Sequence, residues 1–381
     1  MRRALLSLLI GAALLAGIPA QAFWNSRDSN YNVAISSGAT YTGPIDIVAS
    51  PTAWYGLRAG SGAIAAAGTQ KLVNVRRASD NVACDFLVAS NGGFGVTTAT
   101  CNSSTQGGIT PAAFAGTDAS CTGSMVGTTT LTISACSSGT LNVNDPISGA
   151  GITQPAYITA IGTCASPPGT CTVNVAQTFA SEAVIAQVAM FVTELYDQTG
   201  NNYHLTQSTA ANQPQLLPSF SNGMPVILST VGPAQILSNT SFVATAQPFS
   251  MSAVGEMSGS AAGGAGMVSV STAALTQMGW YTSSTLFGMK VSNSGFQAGS
   301  GLAGVLVSAQ GVFNGASSVY SVNNVETTGT VGAGSTSTEI DMAVSNVSVK
   351  YTCEGGLWPV AFNLTQRGNL YANEHTYWGT P

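Results

Sequence analysis

The sequence predicts an all-β fold: an antiparallel sandwich or jelly roll into which a small all-β module is inserted. Three observations carry this expectation. Short runs of Val, Ile, Thr, Phe and Tyr alternate with polar residues and stop at Gly, Asn, Ser or Pro, which is the pattern of half-buried strands. Helical periodicity is nearly absent. The composition is 45% hydrophobic but only 7% charged, with 44 glycines, so there is enough apolar side chain for a packed core, while Ser, Thr, Asn and Gln must supply the polar surface. The net charge is −5 and the lysines are Lys71, Lys290 and Lys350, which excludes a nucleic-acid partner on electrostatic grounds.

Each element follows in chain order. Met1–Ala22 reads as a secretory leader, with Arg2 and Arg3 ahead of an apolar stretch from Ala4 to Gly17 and a small-x-small site at Ala20-Gln21-Ala22. That stretch is short for a membrane span, so an exported chain beginning at Phe23 is expected, with no later span. Residues 23–121 and 189–381 are assigned to the sandwich. Pro51–Ala59 is expected to be helical, because Pro51 suits a first helical position and Trp54, Leu57 and Arg58 follow. Cys84 and Cys101 flank a hairpin centred on Asn91-Gly92-Gly93 and make a plausible bridge. Residues 122–188 change to Thr/Gly-rich alternation with regular turns, which reads as an inserted module of roughly five strands. An insertion of this size in a surface loop is tolerable because closure entropy grows slowly with loop length. Cys164 and Cys171 bracket a Pro-Gly turn and form the clearest disulfide pair. Cys121 with Cys136 is a weaker pair, and Cys353 is left over. Bridges are the expected state in an exported protein. No C-x-x-C occurs and His204 and His375 are the only histidines, so neither a metal site nor a cofactor is expected. Leu364–Trp378 is expected to close the chain as a short helix.

The most specific wording lies in Leu195–Gln207, L-Y-D-Q-T-G-N-N-Y-H-L-T-Q. A strand from Met190 to Tyr196 ends in a turn where Asp and Asn side chains bond their own backbone and Gly200 permits positive φ. The stretch resembles the catalytic domain of the fungal-type α-L-arabinofuranosidase B family and the concanavalin A-like β-sandwiches around it. Ala53–Arg58 (AWYGLR), Val75–Asp80 (VRRASD), Asn212-Gln213-Pro214, Glu354–Pro359 (EGGLWP) and Asn373–Gly379 (NEHTYWG) are similar to further words of that family. The inserted segment resembles β modules of bacteriophage tail and surface proteins. The first resemblance implies a concanavalin A-like sandwich that acts on a polysaccharide or cell-surface glycan by removing terminal α-L-arabinofuranosyl groups. It does not extend to the family's catalytic words. The region Gly263–Tyr281 has no adjacent cysteines and no Glu in a G-N-A-E-T context, and Glu339–Lys350 has Asp341 but no G-G-D-N.

Read from the residues themselves, a glycosidase needs two convergent carboxyls, about 5–5.5 Å apart when retaining and about 6.5–9.5 Å when inverting. Glu256 and Asp341 lie in strand-like, alternating segments and are the candidates for that pair. Trp280 and Tyr281, after Gly279, are candidates for stacking on a sugar. Asp197 reads as a turn residue that bonds amides, Glu354 as satisfying nearby backbone donors, and one of Arg76 and Arg77 as pairing with Asp80 or Asp85. Two functions stay open: a glycan hydrolase of arabinofuranosidase type, and a glycan-binding or surface module without catalysis.

Overall fold

The strand Val349–Trp358 is flanked by Phe249–Ser258 along one edge and by Ala53–Gly56 and Val226–Ser229 along the other, all antiparallel. In this computed structural model the described residues are 41–98, 101, 107–230, 235–258, 265–270, 276–283, 286–291, 294–298, 302–336, 338–345 and 349–381. The expected leader, Met1–Ala22, lies outside them. Residues 41–381 form one compact unit.

From Phe249–Ser258 the sheet continues through Val307–Phe313 and Ser318–Val322 to Val325–Gly329. From Val226–Ser229 it continues through Gln215–Leu217 and Met190–Leu195 to Lys71–Arg77 and Ala83–Val88. Met190–Leu195 also pairs with Leu205–Thr206, which leads through Gln235–Asn239 and Ile340–Ser345 to Ala265–Val270 and Thr276–Ser283. This second run lies over the first as the other layer of a sandwich, as the sequence predicts. The layers meet closely where glycine leaves room. A Cβ on Gly355 would come within 2.8 Å of Val268 Cγ2 and 2.9 Å of Met342 Cε. Between the layers lies the main core, with Met251, Val268, Met278, Phe313, Met342 and Leu357 among its members.

The inserted segment, together with Thr117–Cys121 that the sequence assigns to the sandwich, forms its own four-stranded sheet from Thr117–Gly139, Ile147–Ser148, Ile158–Ile161 and Gly169–Gln187, with no ladder to the main sheet among the described residues. It has a separate core that includes Leu131, Ile133, Ile158, Val173 and Val184. The long strand must double back on itself. Fifteen residues of extended chain would span on the order of 50 Å, yet Cys121 and Cys136 are bridged with their Cα atoms 3.9 Å apart. The reversal falls at the register break between Val126 and Thr128, where Gly127 takes a φ of +65°.

Cys84–Cys101 and Cys164–Cys171 are bridged as well, and Cys353 is buried and free. Burial raises the Cys353 thiol far above its ordinary pKa, which leaves it a poor nucleophile. Non-reducing peptide mapping should therefore recover the three bridges and one thiol that alkylates only after unfolding. Alkylation of Cys353 in the native protein would contradict this.

One expected element is corrected. Pro51–Ala59 is not helical: Ala53–Gly56 is a strand, buried at all four residues. Ala53 and Tyr55 enter the interlayer core, whereas Trp54 turns to the other face, 5.6 Å from the Trp358 ring. Burial on both faces is what a central strand demands, and it overrides the local helix signal of Pro51. The expected C-terminal helix does form, over Leu364–Trp378. Asn363 and Gln366 build a capping box at its start and Gly379 ends it at φ +71°, as both residue types favour.

Candidate functional site

The Y-D-Q-T-G-N stretch folds into a braced loop. Asp197 is 2% exposed. Its carboxylate accepts from the backbone amides of Trp54, Thr199 and Tyr203 and from the Thr199 hydroxyl. Gln198 accepts from Gly60 N and donates to the carbonyls of Gly56 and Arg58. These two side chains tie the loop to the strand Ala53–Gly56 and the turn after it, so the motif does structural work. His204 Nδ1 accepts the Asp197 amide at 3.1 Å, which leaves the ring proton on Nε2 in the neutral form.

Beside this loop lies an open cleft of about 600 Å³, bounded by the helix Gly62–Ala67, Lys71, Tyr196, Asn202 and His204. Tyr196 donates its hydroxyl to Asp85 at 2.7 Å, and Lys71 pairs with the same carboxylate at 2.5 Å. Burial pushes the Tyr196 phenol well above its ordinary range, with Asp85 adding to the shift. Arg77 pairs with Asp80 at 2.6 Å, while Arg76 donates to Gln213 and Asn81.

Glu256 and Asp341 are not brought together. In Phe249–Ser258, Gly255 faces the other layer, with Met267 Cε 3.2 Å from where its Cβ would lie, and Ser252 faces outward to Glu374 of the C-terminal helix. By alternation Glu256 also faces outward, opposite Tyr351 in the ladder. The Tyr351 ring stacks on Phe220 at 4.8 Å and its hydroxyl meets Tyr157 and Asn174 of the inserted segment. Asp341 lies between Ile340 and Met342, both core residues of the second layer, so it faces outward from the opposite side. Stacked sheets are about 10 Å apart, so side chains leaving them in opposite directions exceed even the inverting gap of about 9.5 Å. The side chains of Trp280 and Tyr281 lie outside the described residues. Their strand stands two ladders from Ile340–Ser345.

What the structure places around Asp341 is different. Its ladder partners are Ser238 and Ser269, and Gln277 lies beyond Ser269. Asp341 is 9% exposed and Ser269 4% exposed. Asp341 Oδ1 and Ser269 Oγ are both buried without a hydrogen-bond partner. Burial first, and then the Glu339 carboxyl bonded to it, push Asp341 up to about 7. Burial alone raises Glu256. Glu339 stands just ahead of the strand Ile340–Ser345, two residues from Asp341, so the pairing is legible in hindsight as an i,i+2 spacing.

A second charged cluster went unread in the sequence. Glu354 does not serve backbone donors. It accepts from Arg58 Nε at 2.5 Å and Nη2 at 2.6 Å, with both side chains essentially sealed. Nearby, Glu374 is fully buried and takes bonds from the Ser252 and Ser308 hydroxyls and the Gln310 amide. Burial and the charge of Glu354 raise its pKa. Among the described residues no cluster of His, Cys, Asp and Glu could hold a metal ion. No helix among them is long and apolar enough to cross a membrane.

A scan against family models and a search of curated proteins found no match. Solved structures do match. A GH54 α-L-arabinofuranosidase soaked with a cyclic sulfate inhibitor is 14% identical with a TM-score of 0.51, over 88% of this chain and 66% of that one. A mutant GH54 α-L-arabinofuranosidase soaked with 4-nitrophenyl α-L-arabinofuranoside gives the same values. An arabinofuranosidase complexed with arabinofuranosyl-α-1,2-xylobiose is 13% identical, over 88% of this chain and 65% of that one, with a TM-score of 0.49. This chain spans about two thirds of those chains. At such identity the likeness is one of fold: an arabinofuranosidase-like β-sandwich.

Proposed function

We propose that this protein is an exported, glycan-acting sandwich that recognises arabinofuranosyl-bearing polysaccharide or cell-surface glycan at the outer face of its second layer, around Asp341. One observation carries the reading. Asp341 and Ser269 are partners on one ladder rung, and Asp341 Oδ1 and Ser269 Oγ are both buried and both without a hydrogen-bond partner. Unmet buried polar atoms cost about 1–3 kcal/mol each, so a fold keeps them where something else completes them. A sugar hydroxyl donates and accepts at once and suits this pair. The arabinofuranosidase-like fold supports the glycan class, and the three disulfides support export. In this reading residues 122–188 are a module set into a sandwich of residues 23–121 and 189–381.

Glu256 and Asp341 do not form a catalytic pair, because they leave the two layers on opposite faces. A second reading keeps hydrolysis with Asp341 as acid. Its carboxyl holds a proton near neutrality with Glu339 at its side, which is what a general acid requires. Both readings meet in one experiment. Affinity electrophoresis on arabinan and arabinoxylan should show retention of the wild type and about ten-fold weaker retention of Asp341→Asn. Equal retention of both would remove the Asp341 face as the binding site. Release of arabinose from an aryl arabinofuranoside by the wild type, absent in Asp341→Asn, would establish the hydrolytic reading.

A further inference from the structure

We infer that the cleft beside the Asp197–His204 loop is a second glycan subsite, taking one or two neutral sugar residues. The inference rests on the glycan reading above but on a different part of the fold. Its volume, about 600 Å³, falls in the range of small-ligand sites, about 300–1,000 Å³. One wall is apolar, from Ala63 and Ile64 of the helix Gly62–Ala67, and suits the C–H face of a sugar. The facing wall is polar and held rigid. Tyr196 is pinned by its bond to Asp85 and by the His204 ring, whose centroid is 5.0 Å away edge-on. His204 has one nitrogen filled by the Asp197 amide, and among the described residues nothing bonds Nε2. That N–H is a fixed donor at the cleft wall, and the exposed Asn202 adds an amide.

Charge decides the ligand class. Neither charged side chain of the lining is free to grip an ionic ligand, Lys71 being held by Asp85 and the Asp197 oxygens by neutral protein donors, whereas hydroxyls match the donors present. The loop is already braced by Asp197 and Gln198, so binding orders little chain, which favours affinity.

The test titrates 15N-labelled protein with α-1,5-arabinobiose, xylobiose and an arabinofuranosyl-xylobiose, using wild type, Ala63→Trp, His204→Gln and Asp341→Asn. Ala63 is exposed, so its replacement fills the cleft without breaking a hydrogen bond, and it carries the test if His204→Gln unfolds. Expected are shifts at Asn202 and His204 in the wild type, and about ten-fold weaker binding of that sugar in both cleft variants. Binding that survives both cleft variants but is lost in Asp341→Asn would overturn the cleft and leave the functional proposal standing. No binding of any of these sugars to the wild type would overturn both.

Discussion

Replacing Arg58 by Met should destabilise the fold by about 3–5 kcal/mol, the usual cost of stranding one partner of a buried ion pair. The pair is bidentate, at 2.5 Å and 2.6 Å, and its side chains are 1% and 0% exposed. The guanidinium also lies over the Tyr377 ring at 4.6 Å. Without it, Glu354 would be left buried beside Glu374 and Cys353 with no cation to face. The Arg58→Met/Glu354→Leu double variant should recover much of the loss, because an apolar replacement of both partners strands no charge. Urea unfolding monitored by circular dichroism measures this, as a shift in midpoint at constant slope. A loss below about 1 kcal/mol in the single variant, the value of an exposed pair, would show that the pair is not sealed in solution.

Stability should also fall as the pH rises from about 4.5 to about 8, and Glu374 should be a main cause. Its carboxyl titrates at 4.5 when free and at about 8 in the folded protein, raised by burial first and then by Glu354. The folded state therefore keeps a proton that the unfolded state releases, and stability falls with pH wherever that holds. The contribution is complete below pH 4.5, is lost at about 1.4 kcal/mol per pH unit in between, and is gone above pH 8. The groups facing Glu374 are Glu354 from the sheet and Arg58 from the turn after Ala53–Gly56, with Ser252, Ser308 and Gln310 as donors. Glu374→Gln keeps the shape and removes the titration. Other groups shift as well: burial raises Asp145 and Asp341 in the same sense, and lowers Lys350 to about 7 in the opposite sense. The informative quantity is thus the wild-type curve minus the Glu374→Gln curve. It should slope downward from pH 5 to pH 8, and parallel curves would rule Glu374 out.

Much of this architecture is written locally and can be read from the chain. Strand alternation, Gly and Asn turns, the cap signals around Leu364–Trp378 and the spacing of Cys164 and Cys171 act over a few residues, so short-range patterns report them. Asp197 reads correctly as a bonder of amides for the same reason, since Thr199 N and Tyr203 N lie close by in sequence. The helix expected over Pro51–Ala59 fails because the burial of both faces of Ala53–Gly56 comes from strands some 300 residues away in the chain, at Glu354–Leu357. The Arg58–Glu354 pair spans 296 residues and leaves no local trace.

The candidate site shows the same division. That Glu256 and Asp341 sit in alternating strands is legible, and so is the fact that each must choose one of two faces. The choice itself belongs to the assembled sheet. Along Val349–Trp358 the ladder skips Cys353, pairing Val254 with Glu354 but Gly255 with Thr352. A single such bulge reassigns which side chains of a strand face which layer. The sequence by itself determined the strand-and-turn fabric, its disulfide staples and the braced Asp197 loop, because their interactions are short-range. Only the tertiary structure decided that Asp341 stands with Ser269 and Glu339 rather than with Glu256, because side-chain facing in a two-layer sandwich depends on register and on which layer a strand joins.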